Sequence, residues 1–170
     1  MMKNSLILNL LLAALSLGCI QKNNPKSESK ETPEFLSLKD KNTEAVLNDY
    51  LQLKNALVRS DSVEAAAFAG NLAVHLKLVP AQGDIFLTVQ KLQNSKTLKS
   101  QREAFALLAT PLSKMVETAG VNEGKVFIQY CPMAQDSGAY WLSGKAAVRN
   151  PYYGDEMLEC GEVKSEIKSK

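Results

Sequence analysis

Leu98 to Ala119 reads LKSQREAFALLATPLSKMVETA. Within it Leu98, Gln101, Phe105, Leu108, Leu112, Met115 and Ala119 are separated by alternating gaps of three and four residues, the spacing of one helix face, and predict a helical seam. Pro111 interrupts it. Proline lacks the backbone donor and collides with the carbonyl one turn back, so a kink or break is expected near Thr110. The same period runs upstream from Glu44 to Arg59, where Val46, Leu47, Tyr50, Leu51, Leu53, Leu57 and Val58 line one face, with Asn42 as the expected cap. Asp61 and Glu64 form a capping pair for a second helix with a small-residue stripe of Val63, Ala66, Ala67, Gly70, Ala73 and Val74. Pro80 and Gly83 end it. Asp84 opens a shorter helix carrying Ile85, Phe86, Val89 and Leu92 on one face, which Asn94, Ser95 and Lys96 close. The expected fold is mainly α, a bundle of about four helices.

The texture changes after Gly120 to Gly124. Val126-Phe127-Ile128-Gln129-Tyr130 is β-branched and aromatic, and Ala139-Tyr140-Trp141-Leu142 is a second short candidate strand. Gln135-Asp136-Ser137-Gly138 supplies a turn between them, and Asn150-Pro151 and Gly154-Asp155 supply further breaks. A short irregular or β-hairpin cap is therefore expected at the C-terminal end.

At the other end, Lys3 precedes an almost uninterrupted apolar run from Leu6 to Leu17, and the small residue Gly18 precedes Cys19. Residues 1–18 read as a signal peptide. The run is about a dozen residues, short of the roughly 20 that cross a bilayer as a helix. Leu15-Ser16-Leu17-Gly18-Cys19 resembles the lipobox of bacterial lipoproteins, in a looser variant with Leu17 before the glycine. That resemblance implies a lipid on Cys19 and a protein exported to the bacterial cell envelope and anchored to a membrane, on a periplasmic or surface face. Residues 19–41 read as a flexible tether, because Gln21 to Asp40 is rich in Lys, Glu, Ser, Asn and Pro and too poor in apolar residues to bury a core. A chain of that length spans about 25 Å r.m.s.. Residues 42–170 are one domain by length. With 20 Lys and Arg against 18 Asp and Glu, interspersed in sign, no basic stripe exists for a phosphate backbone, and nucleic acid is disfavoured.

Two of the three cysteines lie in the C-terminal cap, each with a methionine nearby: Cys131-Pro132-Met133 and Met157-Leu158-Glu159-Cys160-Gly161. Residues two apart in an extended segment, or three apart in a helical turn, project to one side, so each Cys and Met can converge. Thiolate with thioether selects Cu(I) or another soft ion. Mg and Ca prefer oxygen, and zinc sites use Cys and His without Met. His75, on the second helix, is a candidate extra ligand, although a structural role is its commoner one. Two other readings stand beside metal binding. Export to an oxidising compartment favours a structural Cys131–Cys160 disulfide, worth about 3 to 4 kcal/mol for a loop of that length, in a partner-binding domain. A dithiol redox protein is the third, against which no C-x-x-C occurs. No serine has a nucleophile motif and His75 sits in a helix, so a hydrolase is not expected and no residue is assigned as catalytic. Tyr140, Trp141, Tyr152 and Tyr153 read first as core.

The ordered set Cys131-Pro132-Met133, Trp141-Leu142-Ser143, Asn150-Pro151-Tyr152-Tyr153-Gly154 and Met157-Leu158-Glu159-Cys160-Gly161, with Tyr50-Leu51-x-Leu53-Lys54-x-Ala56-Leu57 and Gln101-Arg102-x-x-Phe105 upstream, resembles a family of uncharacterised exported helical domains. These occur alone as lipoproteins and fused to periplasmic adaptor subunits of copper and silver efflux pumps. The resemblance spans Thr43 to Val163 and implies Cys131, Met133, Met157 and Cys160 as Cu(I) ligands, with copper-handling or heavy-metal efflux proteins as partners. The chain lacks the adaptor's own barrel and hairpin regions, so the resemblance does not extend to pump assembly.

Overall fold

The computed structural model describes residues 36–80 and 83–169. The signal peptide, Cys19 and all but the last residues of the tether lie outside them. The described chain has five α-helices: α1 (Lys41–Val58), α2 (Ser62–Leu76), α3 (Gly83–Asn94), α4 (Leu98–Ala106) and α5 (Ala109–Ala119). Five strands accompany them: β1 (Ser37–Leu38) before α1, then β2 (Val121–Glu123), β3 (Lys125–Cys131), β4 (Ala139–Ser143) and β5 (Glu162–Lys168) after α5. A single 3₁₀ turn covers Gly154–Glu156. Among the described residues, no helix is long and apolar enough to cross a membrane.

The protein is mainly α, as expected, with five helices rather than four. The fifth arises where proline chemistry requires a break, slightly upstream of Thr110. Pro111 would clash with the carbonyl four residues back, which belongs to Leu107. The helix therefore closes with the tighter bonds Leu107 N–H to Ala104 C=O (3.2 Å) and Leu108 N–H to Phe105 C=O (3.0 Å). It restarts at Ala109, so Pro111 falls in the first turn of α5, where no intrahelical donor is needed.

Asp40, not Asn42, caps α1. Its carboxylate accepts from the Thr43 N–H at 2.9 Å, and its pKa is held below the usual carboxylate range by that residue's hydroxyl and amide. The Asn42 amide donates instead to the Leu78 carbonyl. Asp61 caps α2 as expected, accepting from Val63 and Glu64, while the Glu64 side chain turns to Arg59. The buried face of α2 is rotated from the expected stripe: Ala65, Ala69, Leu72, Ala73 and Leu76 are inside, and Val63 and Val74 are exposed. With alanine at so many positions the pattern is ambiguous, and the volumes of Leu72 and Leu76 decide which side packs.

The expected hairpin is present and belongs to a larger sheet. β3 and β4 pair antiparallel with Ile128 opposite Leu142 and Cys131 opposite Ala139. β5 adds to the other side of β3, giving the order β4-β3-β5. A second antiparallel pair joins β1 to β2, with Ser37 opposite Glu123 and Leu38 opposite Val121. Leu38, in the stretch read as tether, is 1% exposed, so the end of that stretch is part of the packed domain.

Helices and sheet meet along a row of aromatic rings. Tyr50 of α1 stacks on Phe105 of α4 at 4.9 Å between centroids; Tyr152 lies 6.0 Å from Phe105 and meets the edge of Trp141 in β4 at 5.9 Å. β4 is an edge strand, and its Leu142 N–H donates to the Tyr50 hydroxyl oxygen at 3.1 Å. Complete burial raises the Tyr50 pKa and keeps that hydroxyl neutral. Tyr50→Phe leaves the Leu142 N–H buried without a partner and is expected to lower stability by about 1 to 3 kcal/mol, read from the denaturant midpoint.

Candidate functional site

β3 ends at Cys131, which is completely buried. Cys160 precedes β5 and is partly exposed. Antiparallel pairing of Tyr130 with Glu162 carries the two cysteines to the same end of the sheet, and their Sγ atoms lie 2.6 Å apart. The contact, shared mostly as an S–H···S interaction, raises the Cys160 thiol pKa, with burial and the neighbouring Cys131 charge adding to it. Cys160 therefore holds its proton more tightly than an isolated thiol does.

Cys160 is fixed by its backbone. Its N–H donates to the Met157 carbonyl at 3.0 Å, which closes the Met157-to-Cys160 turn. The Asn150 side chain, itself fully buried, donates to the Cys160 carbonyl at 2.9 Å and accepts from the Tyr152 N–H at 2.8 Å, while the Asn150 N–H donates to the Leu158 carbonyl at 2.7 Å. Asn150 thus ties the Asn-Pro-Tyr turn to the cysteine turn. Arg102 anchors the same turn to the helices: its Nε donates to the Pro151 carbonyl, and its Nη2 to the Leu57 carbonyl and the Ser60 hydroxyl. Gly161 then passes between Trp141 and β3 at φ +139°. A Cβ there would stand 2.8 Å from Trp141 Cη2 and 2.9 Å from the Tyr130 carbonyl oxygen, so only glycine lets Cys160 reach Cys131.

The methionines sit on the turns that flank this pair. Met133 follows Cys131 in a turn closed by Ala134 N–H to Cys131 C=O; its side chain is 60% exposed and its carbonyl accepts from the Tyr153 hydroxyl. Met157 ends the 3₁₀ turn, half-buried. Beside Tyr153, a cleft of about 330 Å³ is lined by Lys99, Arg102, Glu103, Gln135, Asp136, Tyr152 and Tyr153.

His75 has a different neighbour. Its Nδ1 lies 2.5 Å from Asp49 Oδ2, joining α2 to α1. Among the described residues no three or more His, Cys, Asp and Glu side chains gather into a metal cage, so His75 does not join the cysteine pair. The donors gathered here are soft: two thiols in contact, with a thioether on each adjoining turn. They fit Cu(I) and do not fit Mg or Ca. A single metal bridging two thiolates at about 2.3 Å each would hold the sulfurs roughly 3.8 Å apart. An ion between them therefore requires the partly exposed Cys160 side chain to swing outward by about an ångström.

Asn150, Gly161 and Arg102 belong to the motif set of the family resemblance, but the sequence assigns none of them a part in positioning the cysteines, and Arg102, expected to pair with a carboxylate, donates to the Pro151 and Leu57 carbonyls and the Ser60 hydroxyl. Beyond the motif, Asn150 reads only as a turn-former beside Pro151. A polar residue at a break with its own side chain buried is the signal that would have set it apart, and burial is not visible in one sequence.

These features define a mainly α domain with a small antiparallel sheet that brings two distant cysteines together. Residues 46–124 match a family model described as a protein of unknown function (DUF3347), and a DUF3347 domain is present over that span. The match runs from α1 to the loop after β2 and ends before β3, so both cysteines lie beyond it. No curated protein and no solved structure matches the chain.

Removing the Asn150 side chain strands the Tyr152 N–H and the Cys160 carbonyl. Asn150→Ala is expected to cost about 2 to 4 kcal/mol in denaturant unfolding. Gly161→Ala forces a side chain into the Trp141 ring and is expected to cost about 2 kcal/mol or more, with a shifted emission spectrum from Trp141, the protein's one tryptophan.

Proposed function

We propose that the protein is an exported lipoprotein, anchored through Cys19, whose domain binds a soft metal ion, Cu(I) first among them, for buffering, transfer or efflux. The observation that supports this reading is the contact between Cys131 and Cys160, each one short turn from a methionine. In this reading the two thiols, in contact across 29 residues of sequence, and the thioethers of the adjoining turns act as one set of soft donors. Cys131 and Cys160 supply thiolate donors once their protons leave. Met133 and Met157 carry no proton to lose and add neutral sulfur, which suits a monovalent soft ion. The exposure of Met133 gives the ion a way in and a way out toward a partner, and a copper-handling or heavy-metal efflux protein is the partner class proposed. The protein acts as a carrier or buffer, not as an enzyme.

The test is a Cu(I) titration of the reduced full-length chain against a competing chelator. One equivalent is expected to bind tightly, with Met133→Ala and Met157→Ala each weakening it by about tenfold or more, equivalent to about 1.4 kcal/mol. Cys131→Ser is expected to abolish it. Weak binding that is indifferent to the methionines overturns the reading.

The sulfur contact also favours a second reading, a structural disulfide that closes the cap of a partner-binding domain. Thiol counting on protein isolated from the envelope without reductant separates the two. Free thiols that take up copper support the first, and a permanent bridge supports the second.

A further inference from the structure

We infer that the cysteine pair also carries out thiol–disulfide exchange, with Cys160 as the attacking residue and Cys131 as the resolving one, and that exchange expels the bound metal ion. The metal half rests on the function proposed above; the exchange half rests on geometry alone.

The two cysteines are unequal. Cys160 is reachable from solvent, while Cys131 at the end of β3 has no exposed surface. An incoming disulfide can meet only Cys160. Once Cys160 is joined to it, the next nearest sulfur is that of Cys131, already in contact with Cys160 and held there by the Tyr130–Glu162 pairing, by Gly161 and by the Asn150 bond to the Cys160 carbonyl. Resolution is then an intramolecular step with little motion to make. An attacking thiol at the surface and a resolving thiol beneath it is an order that structure imposes and chemistry can use.

The atoms balance as follows. The Cys160 thiolate attacks one sulfur of a partner disulfide; a Cys160–partner S–S bond forms, the partner's S–S bond breaks, and its first thiolate leaves and takes up the proton Cys160 gave to solvent. The Cys131 thiolate then attacks the Cys160 sulfur; the Cys131–Cys160 bond forms, the Cys160–partner bond breaks, and the second partner thiolate leaves and takes up the proton Cys131 gave to solvent. The domain is oxidised by two electrons and the partner disulfide is reduced by two. The substrate class is an accessible disulfide, either of an exported protein or of an oxidised small thiol. Joined sulfurs offer no thiolate, so the metal site keeps only its two thioethers, and the ion leaves.

The test uses the reduced chain with Cys19 lipidated, so that Cys131 and Cys160 are its two thiols, with oxidised glutathione as the probe, followed by mass spectrometry and by released thiol. Wild type is expected to end as the intramolecular disulfide with two glutathione released per chain. Cys131→Ser is expected to stop as a glutathione adduct on Cys160, and Cys160→Ser to react at least about tenfold more slowly, since buried thiols are inert. A stable adduct on wild type, or equal reactivity of the two variants, overturns the exchange. Alkylation of folded wild type by limiting iodoacetamide gives a reading independent of how the variants fold: label on Cys160 first supports the order of attack, and label on Cys131 first overturns it. With one equivalent of Cu(I) loaded beforehand, a colorimetric Cu(I) chelator is expected to gain one ion per disulfide formed. Copper retained through disulfide formation overturns the expulsion. Failure of the reduced chain to bind Cu(I) at all overturns the proposed function and the expulsion together, while the glutathione stoichiometry still decides the exchange.

Discussion

The hydroxyl of Tyr50 is the point through which the helical part and the sheet are held to each other. A hydrogen bond to the free N–H of an edge strand is worth little by itself. Here it lies under a stack of Phe105, Tyr152 and Trp141 that no water reaches, so the Leu142 N–H has no other partner to turn to. That contact and the ring row beside it together set β4 against the helices. β4 sets β3, β3 sets β5, and through them the position of Cys160 against Cys131 follows. The chemistry at the rim of the sheet is thus positioned through an aromatic core that joins residues as far apart in sequence as Tyr50 and Tyr152.

The cap is organised around a polar side chain that faces inward. Asn150 uses both ends of its amide and its backbone N–H to hold three separate positions, and Arg102, from the middle of α4, fastens the adjoining turn to the end of α1. A purely apolar cap could fill the same space without specifying where the Cys160 backbone goes. Buried hydrogen bonds have direction, and direction is what a two-sulfur contact requires.

The helices were legible in proportion to how unequal their faces are. The faces of α1 and of the α4–α5 seam showed plainly because Tyr50, Leu53, Phe105, Leu108 and Leu112 are large and their opposite faces polar. α2 did not, because alanine fits either side. β3 and β4 carried enough β-branched and aromatic residues to be recognised. β5, Glu162–Lys168, is almost wholly exposed and reads as a charged tail, and β1 is two residues at the end of a polar stretch. The four sulfur residues were visible as a set from their spacing and from the family resemblance. That the cysteines meet was not, since a contact across 29 residues depends on the register of a strand that sequence alone did not disclose.

The short β1–β2 pair has a mechanical meaning. Any pull arriving at Ser37 from the chain before it enters the domain through two residues paired with Val121 and Glu123, next to the start of β3 at Lys125. Cys131 is at the far end of that strand, roughly 20 Å away at the usual rise per residue. Load from an anchor is therefore delivered at one end of the strand and the sulfur contact sits at the other. Under the proposed anchoring, the sulfur contact stays out of the line of force.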